Sequence, residues 1–245
     1  AHLGEEVFGS TIDWMTLGAT TFRMGVMVDP LTAYMLLMVP LACLLIFIYS
    51  LGYMRDDPLH SRFFAYISLF AGAMLTLVLA DNLLMLFVGW EVMGLCSYLL
   101  IGFWFHKKSA YQAGVKAFMT TRVGDMLMMV GIGYLFIVAR TLDFREILYN
   151  EEMLAHLAST PAVIFGGSAA ALIGVLLVAG TIGKSSQFPL HVWLPDAMEG
   201  PTPVSAMIHA ATMVSAGVYM VVRMFPLLSA GADFHAGDFS APMIV

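Results

Sequence analysis

Charged side chains are scarce in this sequence of 245 residues. Only 11% of the residues are Asp, Glu, Lys or Arg, whereas soluble domains carry roughly 25%. The apolar share is 60%, and the apolar residues form long stretches with few charges. A protein of this composition could not cover its surface with polar groups, so a water-soluble globular protein is excluded. The hydrocarbon core of a bilayer requires such stretches, which predict an all-α, multi-pass membrane protein.

Cysteine is nearly absent as well. Cys43 and Cys96 lie singly in apolar stretches, without the C-x-x-C spacing of metal sites. An iron–sulfur, zinc or disulfide framework built by this chain alone is therefore excluded, and no cofactor is expected in it. His191, Asp196 and Glu199 match the spacing of no metal motif, so no metal site is predicted. The formal net charge of -6 is spread along the chain and indicates no nucleic-acid partner.

Six apolar stretches predict about six membrane-spanning helices. They lie at about residues 31–54, 62–80, 82–104, 115–139, 162–184 and 202–225. At a rise of 1.5 Å per residue, each approaches the roughly 30 Å thickness of the hydrocarbon core. Residues 1–30 contain alternating apolar and polar residues, which predict an extended hairpin outside the membrane. We expect residues 31–228 to form one helical bundle.

The fifth apolar stretch ends in polar residues and prolines. Residues 184–187 are Lys-Ser-Ser-Gln, and Pro189 and Pro195 follow. Backbone groups freed by prolines within a membrane are tolerated only where they face protein or a water-filled cavity. The pattern predicts a broken helix, a feature that marks ion and substrate sites in transporters. The acidic segment 141–155 before this stretch predicts a loop or a surface helix.

Five ionisable residues stand out within the apolar stretches, where a charge is costly and indicates function. They are Glu91, Arg122, Asp125, Lys184 and His209. Arg122 and Asp125 are three residues apart, a spacing that predicts an ion pair within one helix. Lys184, beside the break, could gain or lose a proton when a carboxylate moves, and the imidazole of His209 could pass protons.

Structural interpretations of the same residues remain open. Glu91 could be a neutral, hydrogen-bonded side chain, Arg122 and Asp125 a static pair, and Lys184 a side chain that reaches towards the interface. Hydroxyl and other polar groups also recur along one face of the last predicted helix. Such a face can order a file of water, or it can pack against another helix. The residues of this face are Thr202, Ser205, His209, Thr212, Tyr219 and Arg223.

Basic residues near the ends of the stretches predict the orientation in the membrane. Arg55, Arg62, Lys107, Lys108 and Lys116 lie on one side, and four arginines lie on the other. Because basic residues are enriched on the cytoplasmic side, we expect the first side to be cytoplasmic. The expected location is a bacterial inner membrane, with an organellar membrane as the alternative.

Several motifs resemble one family of membrane proteins. They are RFFAY at 62–66, GWE at 89–91, LCSYLLIGF at 95–103, TRVGD at 121–125, GKS at 183–185, HVWLPDAMEGPTPVSA at 191–206 and IHAATM at 208–213. Across roughly residues 12–225, the chain resembles the distal antiporter-like subunit (subunit L, or chain 5) of respiratory complex I, NADH:quinone oxidoreductase. The resemblance implies a proton-translocating, antiporter-like fold.

The resemblance also implies a role for each of the five ionisable residues. Glu91 matches the buried glutamate of the family, and Arg122 and Asp125 match its companion pair. Lys184 matches the broken-helix lysine, and His209 matches the histidine that joins two half-channels. The resemblance implies that NADH, flavin, iron–sulfur clusters and quinone are held by other subunits. It implies that the partners are the adjacent antiporter-like subunit, other membrane-arm subunits and the lipid bilayer.

The chain departs from the family in length. Family members contain two inverted five-helix repeats, whereas this chain accounts for the first repeat and one preceding helix. We therefore expect a fragment or a split gene product, with residues 229–245 as a loop or the start of the second repeat. Two other kinds of function remain open. One is a subunit of a cation/proton antiporter, membrane hydrogenase or inorganic-carbon uptake complex; the other is a scaffold with static charges.

Overall fold

The computed structural model describes residues 8–17, 20–164 and 166–230. The chain begins with an antiparallel hairpin of β1 (Phe8–Leu17) and β2 (Thr20–Val28). The hairpin lies where the alternating sequence predicts extended structure, and its register shifts once, between residues 13 and 15. A bridge from Val26 to Ala80 attaches the hairpin to the end of a long helix.

Four long helices follow the hairpin. They are α1 (Pro30–Tyr53), α2 (His60–Leu79), α3 (Leu83–Ile101) and α4 (Lys108–Ala139). Two begin at side-chain caps: Asp29 accepts a hydrogen bond from the N–H of Thr32, and Asn82 accepts one from the N–H of Met85. All four are long and apolar enough to cross a membrane.

The acidic segment after α4 forms two short helices, α5 (Phe144–Leu148) and α6 (Glu151–Ser159). The next helix, α7 (Ala169–Lys184), begins seven residues later than the apolar stretch at 162–184 predicts. Gly166 and Gly167 before it have positive φ angles of 70° and 91°, which a continuous helix does not allow. Its 16 residues extend about 24 Å, less than a bilayer core.

The chain turns irregularly after Lys184. A short 3-10 helix (Asp196–Glu199) leads to α8 (Thr202–Ala206), a π-helical turn (Met207–Ala211) and α9 (Met213–Arg223). A one-turn helix, α10 (Phe225–Leu228), ends the described part. The helical run Thr202–Arg223 is also long enough to cross a membrane, so the described residues contain five such spans plus the shorter α7. The span predicted at 202–225 is therefore present, but a π-helical turn interrupts its α-helix.

The helices α3 and α7 pack against α4, with α2 behind α3 and α9 beside α7. Glycines allow the closest approaches: a Cβ atom on Gly124 would lie 2.6 Å from the carbonyl oxygen of Ala179 on α7. Outward-facing positions of α1 are apolar and exposed, among them Leu37, Leu41 and Leu44. The core therefore lies between α2, α3, α4, α7 and α9, where most of the ionisable residues within the spans are found.

Candidate functional site

Two ion pairs join three helices at the centre of the bundle. Glu91 on α3 pairs with Arg122 on α4. Asp125, one turn further along α4, lies 3.2 Å from Lys184 on α7, measured from Oδ2 to Nζ. The α4 helix therefore carries one member of each pair and links the acid of α3 to the base of α7.

The ion pair predicted between Arg122 and Asp125 is wrong. Arg122 pairs with a residue of α3 and Asp125 pairs with a residue of α7. The two positions lie one turn apart along α4 and face different surroundings. The Arg122 side chain is 30% exposed and reaches Glu91, which is 23% exposed. The Asp125 side chain is 1% exposed and points to the buried Lys184. Glu91 thus pairs with Arg122, and the carboxylate that faces Lys184 is that of Asp125.

Lys184 is fully buried and is the last residue of α7. Its ammonium is within ion-pair distance of Asp125, but neither Nζ nor Oδ2 has a hydrogen-bond partner among the described residues. A buried ammonium depends on its counter-charge and on hydrogen bonds, since it has lost its water. The Lys184 ammonium is consequently stabilised by the charge of Asp125, without a hydrogen bond among the described residues.

One buried tryptophan contacts this pair and a second lies beside it, and sequence reasoning missed both. The indole Nε1–H of Trp90 donates to Oδ1 of Asp125 at 2.7 Å. The Nε1–H of Trp193 donates to the carbonyl oxygen of Gly183 at 3.0 Å, at the end of α7. The signal was available in the motif at 89–91, where a tryptophan directly precedes the intramembrane glutamate.

His209 lies in the π-helical turn Met207–Ala211. Its ring stacks on the ring of Trp193 at a centroid distance of 6.4 Å. Both ring nitrogens are buried and have no hydrogen-bond partner among the described residues. An imidazole whose donor and acceptor are both unused is open to a further polar group, such as a water molecule.

The polar face predicted for the last helix divides into separate groups. The backbone N–H of Thr212 donates to the carbonyl oxygen of Met207, five residues earlier, and closes the π-helical turn, and the Thr212 hydroxyl donates to the same oxygen. At the other end, Arg223 donates to both carboxylate oxygens of Asp29, to Thr32 and to Tyr219. The face is therefore not one continuous row of free hydroxyls in the described structure.

The Arg223 cluster is a second charged site, and the sequence did not predict that Arg223 pairs with Asp29. Asp29 precedes α1, whereas its partner Arg223 lies 194 residues later, at the end of α9. Burial acts to raise the pKa of Asp29, but the hydrogen bonds from Arg223 and from the N–H of Thr32 outweigh burial and hold the pKa below its usual value. The carboxylate is therefore ionised, and the cluster ties the start of α1 to α9.

Metal binding finds no support in the described ranges 8–17, 20–164 and 166–230. They contain no group of three or more His, Cys, Asp or Glu side chains that could hold an ion. The arrangement instead suits proton transfer, since it places a lysine, a carboxylate and an unpaired imidazole in the interior of a membrane bundle.

Comparisons with known proteins agree on one family. Residues 80–240 match the family described as NADH:quinone oxidoreductase/Mrp antiporter, transmembrane. Residues 14–64 match the family described as NADH-ubiquinone oxidoreductase (complex I), chain 5 N-terminus. The antiporter-like fold and the resemblance to chain 5 are thereby confirmed.

Individual relatives come from several kinds of complex. The chain is 48% identical over 224 residues to NAD(P)H-quinone oxidoreductase chain 5 of Synechocystis sp., covering 91% of this chain and 32% of the relative. It is 48% identical over 239 residues to F(420)H(2) dehydrogenase subunit L of Methanosarcina mazei, covering 94% and 35%. A solved chain of the Mrp complex from Dietzia sp. superposes with a TM-score of 0.79 at 32% identity, covering 93% of this chain and 23% of that one. The chain thus spans about a third of the length of the curated relatives it matches.

Proposed function

Because the chain belongs to the NADH:quinone oxidoreductase/Mrp antiporter transmembrane family, we propose that it is part of a proton-translocating membrane-arm subunit of complex I. It couples quinone reduction, carried out by redox groups in other subunits, to proton pumping. The observation that carries the proposal is the buried ion pair of Lys184 and Asp125 inside the bundle. Its partners are other membrane-arm subunits, in particular an adjacent antiporter-like subunit.

The proton carrier in this proposal is Lys184. Two opposite charges about 4 Å apart attract by about 4 kcal/mol at an effective dielectric constant near 20, roughly a thousandfold in an equilibrium constant. Moving the Asp125 carboxylate away therefore releases the lysine proton, and moving it back loads the next one. Arg122 lies one turn from Asp125 and pairs with Glu91. If Arg122 paired with Asp125 instead, the attraction between Asp125 and Lys184 would weaken. His209 accepts the released proton through water.

The setting of this machinery in the membrane also belongs to the proposal. The helical bundle of residues 31–228 spans a bacterial inner membrane, and the hairpin within residues 1–30 lies outside it. The basic loops at 55–62 and 107–116 face the cytoplasm, as the distribution of Lys and Arg favours.

Replacing Lys184 by Met in the assembled complex tests the proposed function. Met approximates the volume of the lysine stem but carries no charge, so assembly should persist while the share of proton pumping that passes through this subunit is lost. The measurement is the number of protons pumped per electron in reconstituted vesicles. Lys116→Met is the matched control, because Lys116 is a half-exposed lysine that pairs with Asp196 at the surface. Wild-type pumping by the Lys184→Met complex would contradict the proposal.

A cation/proton antiporter is a second candidate, favoured by the superposition on a chain of the Mrp complex. The match of residues 14–64 to the chain 5 N-terminus favours complex I instead. The two functions differ in what drives the proton. Proton movement driven by a sodium gradient, with no electron donor added, would identify the antiporter.

A further inference from the structure

Trp90 is a fully buried side chain with one polar atom, and that atom has one partner. Its indole N–H donates to Oδ1 of Asp125 at 2.7 Å, while Oδ2 of the same carboxylate faces Lys184 at 3.2 Å. The Lys184 ammonium also lies 6.0 Å from the centroid of the Trp90 ring. One tryptophan therefore contacts both members of the central ion pair.

The chemistry of the indole determines what this contact does. An indole N–H can donate a hydrogen bond but cannot accept one, so it favours the ionised carboxylate. Because Oδ1 is held, the carboxylate cannot rotate without losing its bond, and Oδ2 stays directed at Lys184. We propose that Trp90 is a positioning residue for proton transfer, which acts on Lys184 through the orientation and charge of Asp125. This inference rests on the proposed function.

The position of Trp90 on α3 connects the two ion pairs. Trp90 and Glu91 are consecutive residues, so their side chains leave the helix about 100° apart. The first contacts Asp125 and the second contacts Arg122, which are both on α4. One turn of α3 thus contacts both Arg122 and Asp125, and a small movement of α3 changes the geometry of both ion pairs.

The back of α3 is fixed at the same height. A Cβ atom on Gly89, the residue before Trp90, would lie 2.9 Å from the carbonyl oxygen of Ala73 and 3.0 Å from the backbone nitrogen of Leu77. The α3 backbone is therefore pressed against α2 next to Trp90. A displacement of α2 would reach Asp125 through the indole.

The first variant removes the indole N–H but keeps an aromatic ring. Trp90→Phe in the assembled complex should slow proton pumping about tenfold or more, the change that corresponds to losing one hydrogen bond to a charged group. The rate is measured across about pH 5.5 to 9. Because the Asp125 carboxylate is no longer held with Oδ2 towards Lys184, it holds the lysine charge less firmly, and the alkaline limb of the profile should move to lower pH. A purely structural role would lower the rate equally at every pH.

A second variant retains the shape of the side chain. Incorporation of benzothienylalanine at position 90 replaces the N–H by sulfur in a bicyclic ring of nearly the same size, so a folding defect is avoided. Trp104→Phe is the matched control, since Trp104 donates to Asp57 at 3.1 Å in a surface loop. A wild-type rate and profile with benzothienylalanine at 90 would overturn the inference. If Lys184→Met also pumps normally, the proposed function fails; if only the position-90 variants do, the role of Trp90 alone is wrong.

Discussion

Two buried ion pairs of the bundle differ in how fully their charges are satisfied. The Arg223 guanidinium donates to both oxygens of Asp29, to the hydroxyl of Thr32 and to that of Tyr219. The Lys184 ammonium has a charge partner but no hydrogen bond among the described residues. A buried pair with additional hydrogen bonds costs more to separate than a buried pair without them. The Arg223 pair is therefore the harder of the two to separate, and the proposed function assigns proton transfer to the Lys184 pair.

Asp29→Asn should destabilise the protein by about 3 to 5 kcal/mol, because it leaves the Arg223 charge buried without its partner. Thermal unfolding of the purified complex measures the loss. Since the pKa of Asp29 is lowered in the folded protein, its stabilisation is present above the usual Asp pKa and is lost as the pH falls through the lowered value. The difference in stability between the wild type and the Asn variant should therefore be largest at neutral pH and decrease in acid.

Asp13→Asn is the control for this experiment. Asp13 pairs with Arg23 at 3.3 Å on the exposed hairpin, where an ion pair contributes at most about 1 kcal/mol. Equal losses in the two variants would show that burial of the Asp29 pair adds no stability.

Single residues also show how far the sequence could predict this site. All five ionisable positions could be found, because any charge in a long apolar stretch stands out. Their partners could not, since Glu91 and Lys184 lie on other helices than α4, and the sequence does not fix how those helices pack against it. The π-helical turn at Met207–Ala211 could not be predicted either, because it contains no Gly or Pro. By contrast, the late start of α7 has a signal that was overlooked, the pair Gly166 and Gly167.

Among the helices, the contact between α4 and α7 sets the geometry of the central pair. Four glycines lie in this contact: Gly124 and Gly131 on α4, and Gly180 and Gly183 on α7. Lipid tails are as apolar as the helices, so association within a membrane depends on close packing of small residues. The short backbone separation at these glycines keeps Asp125 and Lys184 within reach of each other.

Gly131→Leu should separate α4 from α7. A Cβ atom at this position would lie 2.8 Å from Cβ of Leu176, so the larger side chain should cost about 1 to 3 kcal/mol or more. The measurement is the unfolding temperature of the assembled complex together with its pumping rate. Gly133→Leu is the matched control on the same helix, because nothing lies within 4 Å of a Cβ there. If both variants unfold at the same temperature, close packing at Gly131 is not what holds the helices.

At the scale of the whole molecule, the two ends of the bundle differ in character. One end carries the hairpin, the Arg223 cluster and the acidic helices α5 and α6. The other carries the basic loops, where Arg62 stacks on Tyr66 and Phe105 and Lys107 lies over Trp104. Basic and aromatic side chains together are typical of a membrane–water interface, and they favour the cytoplasmic side for this end.

Labelling of single cysteines checks the orientation. Lys108→Cys should react with a membrane-impermeant maleimide only in inside-out vesicles, and Thr16→Cys only in right-side-out vesicles. Both positions are exposed, while the native Cys43 and Cys96 are buried. The reverse pattern would show that the proposed orientation is wrong.

The short α7 helix has a consequence for the electric field across the membrane. Its 16 residues extend about 24 Å, against roughly 30 Å for the hydrocarbon core, and irregular turns with polar side chains follow Lys184. If these polar turns shorten the insulating layer at this point, the membrane potential falls over a shorter distance there, and the field at the end of α7 is stronger than elsewhere in the bundle. Under the proposed function, release of the Lys184 proton would then be sensitive to voltage.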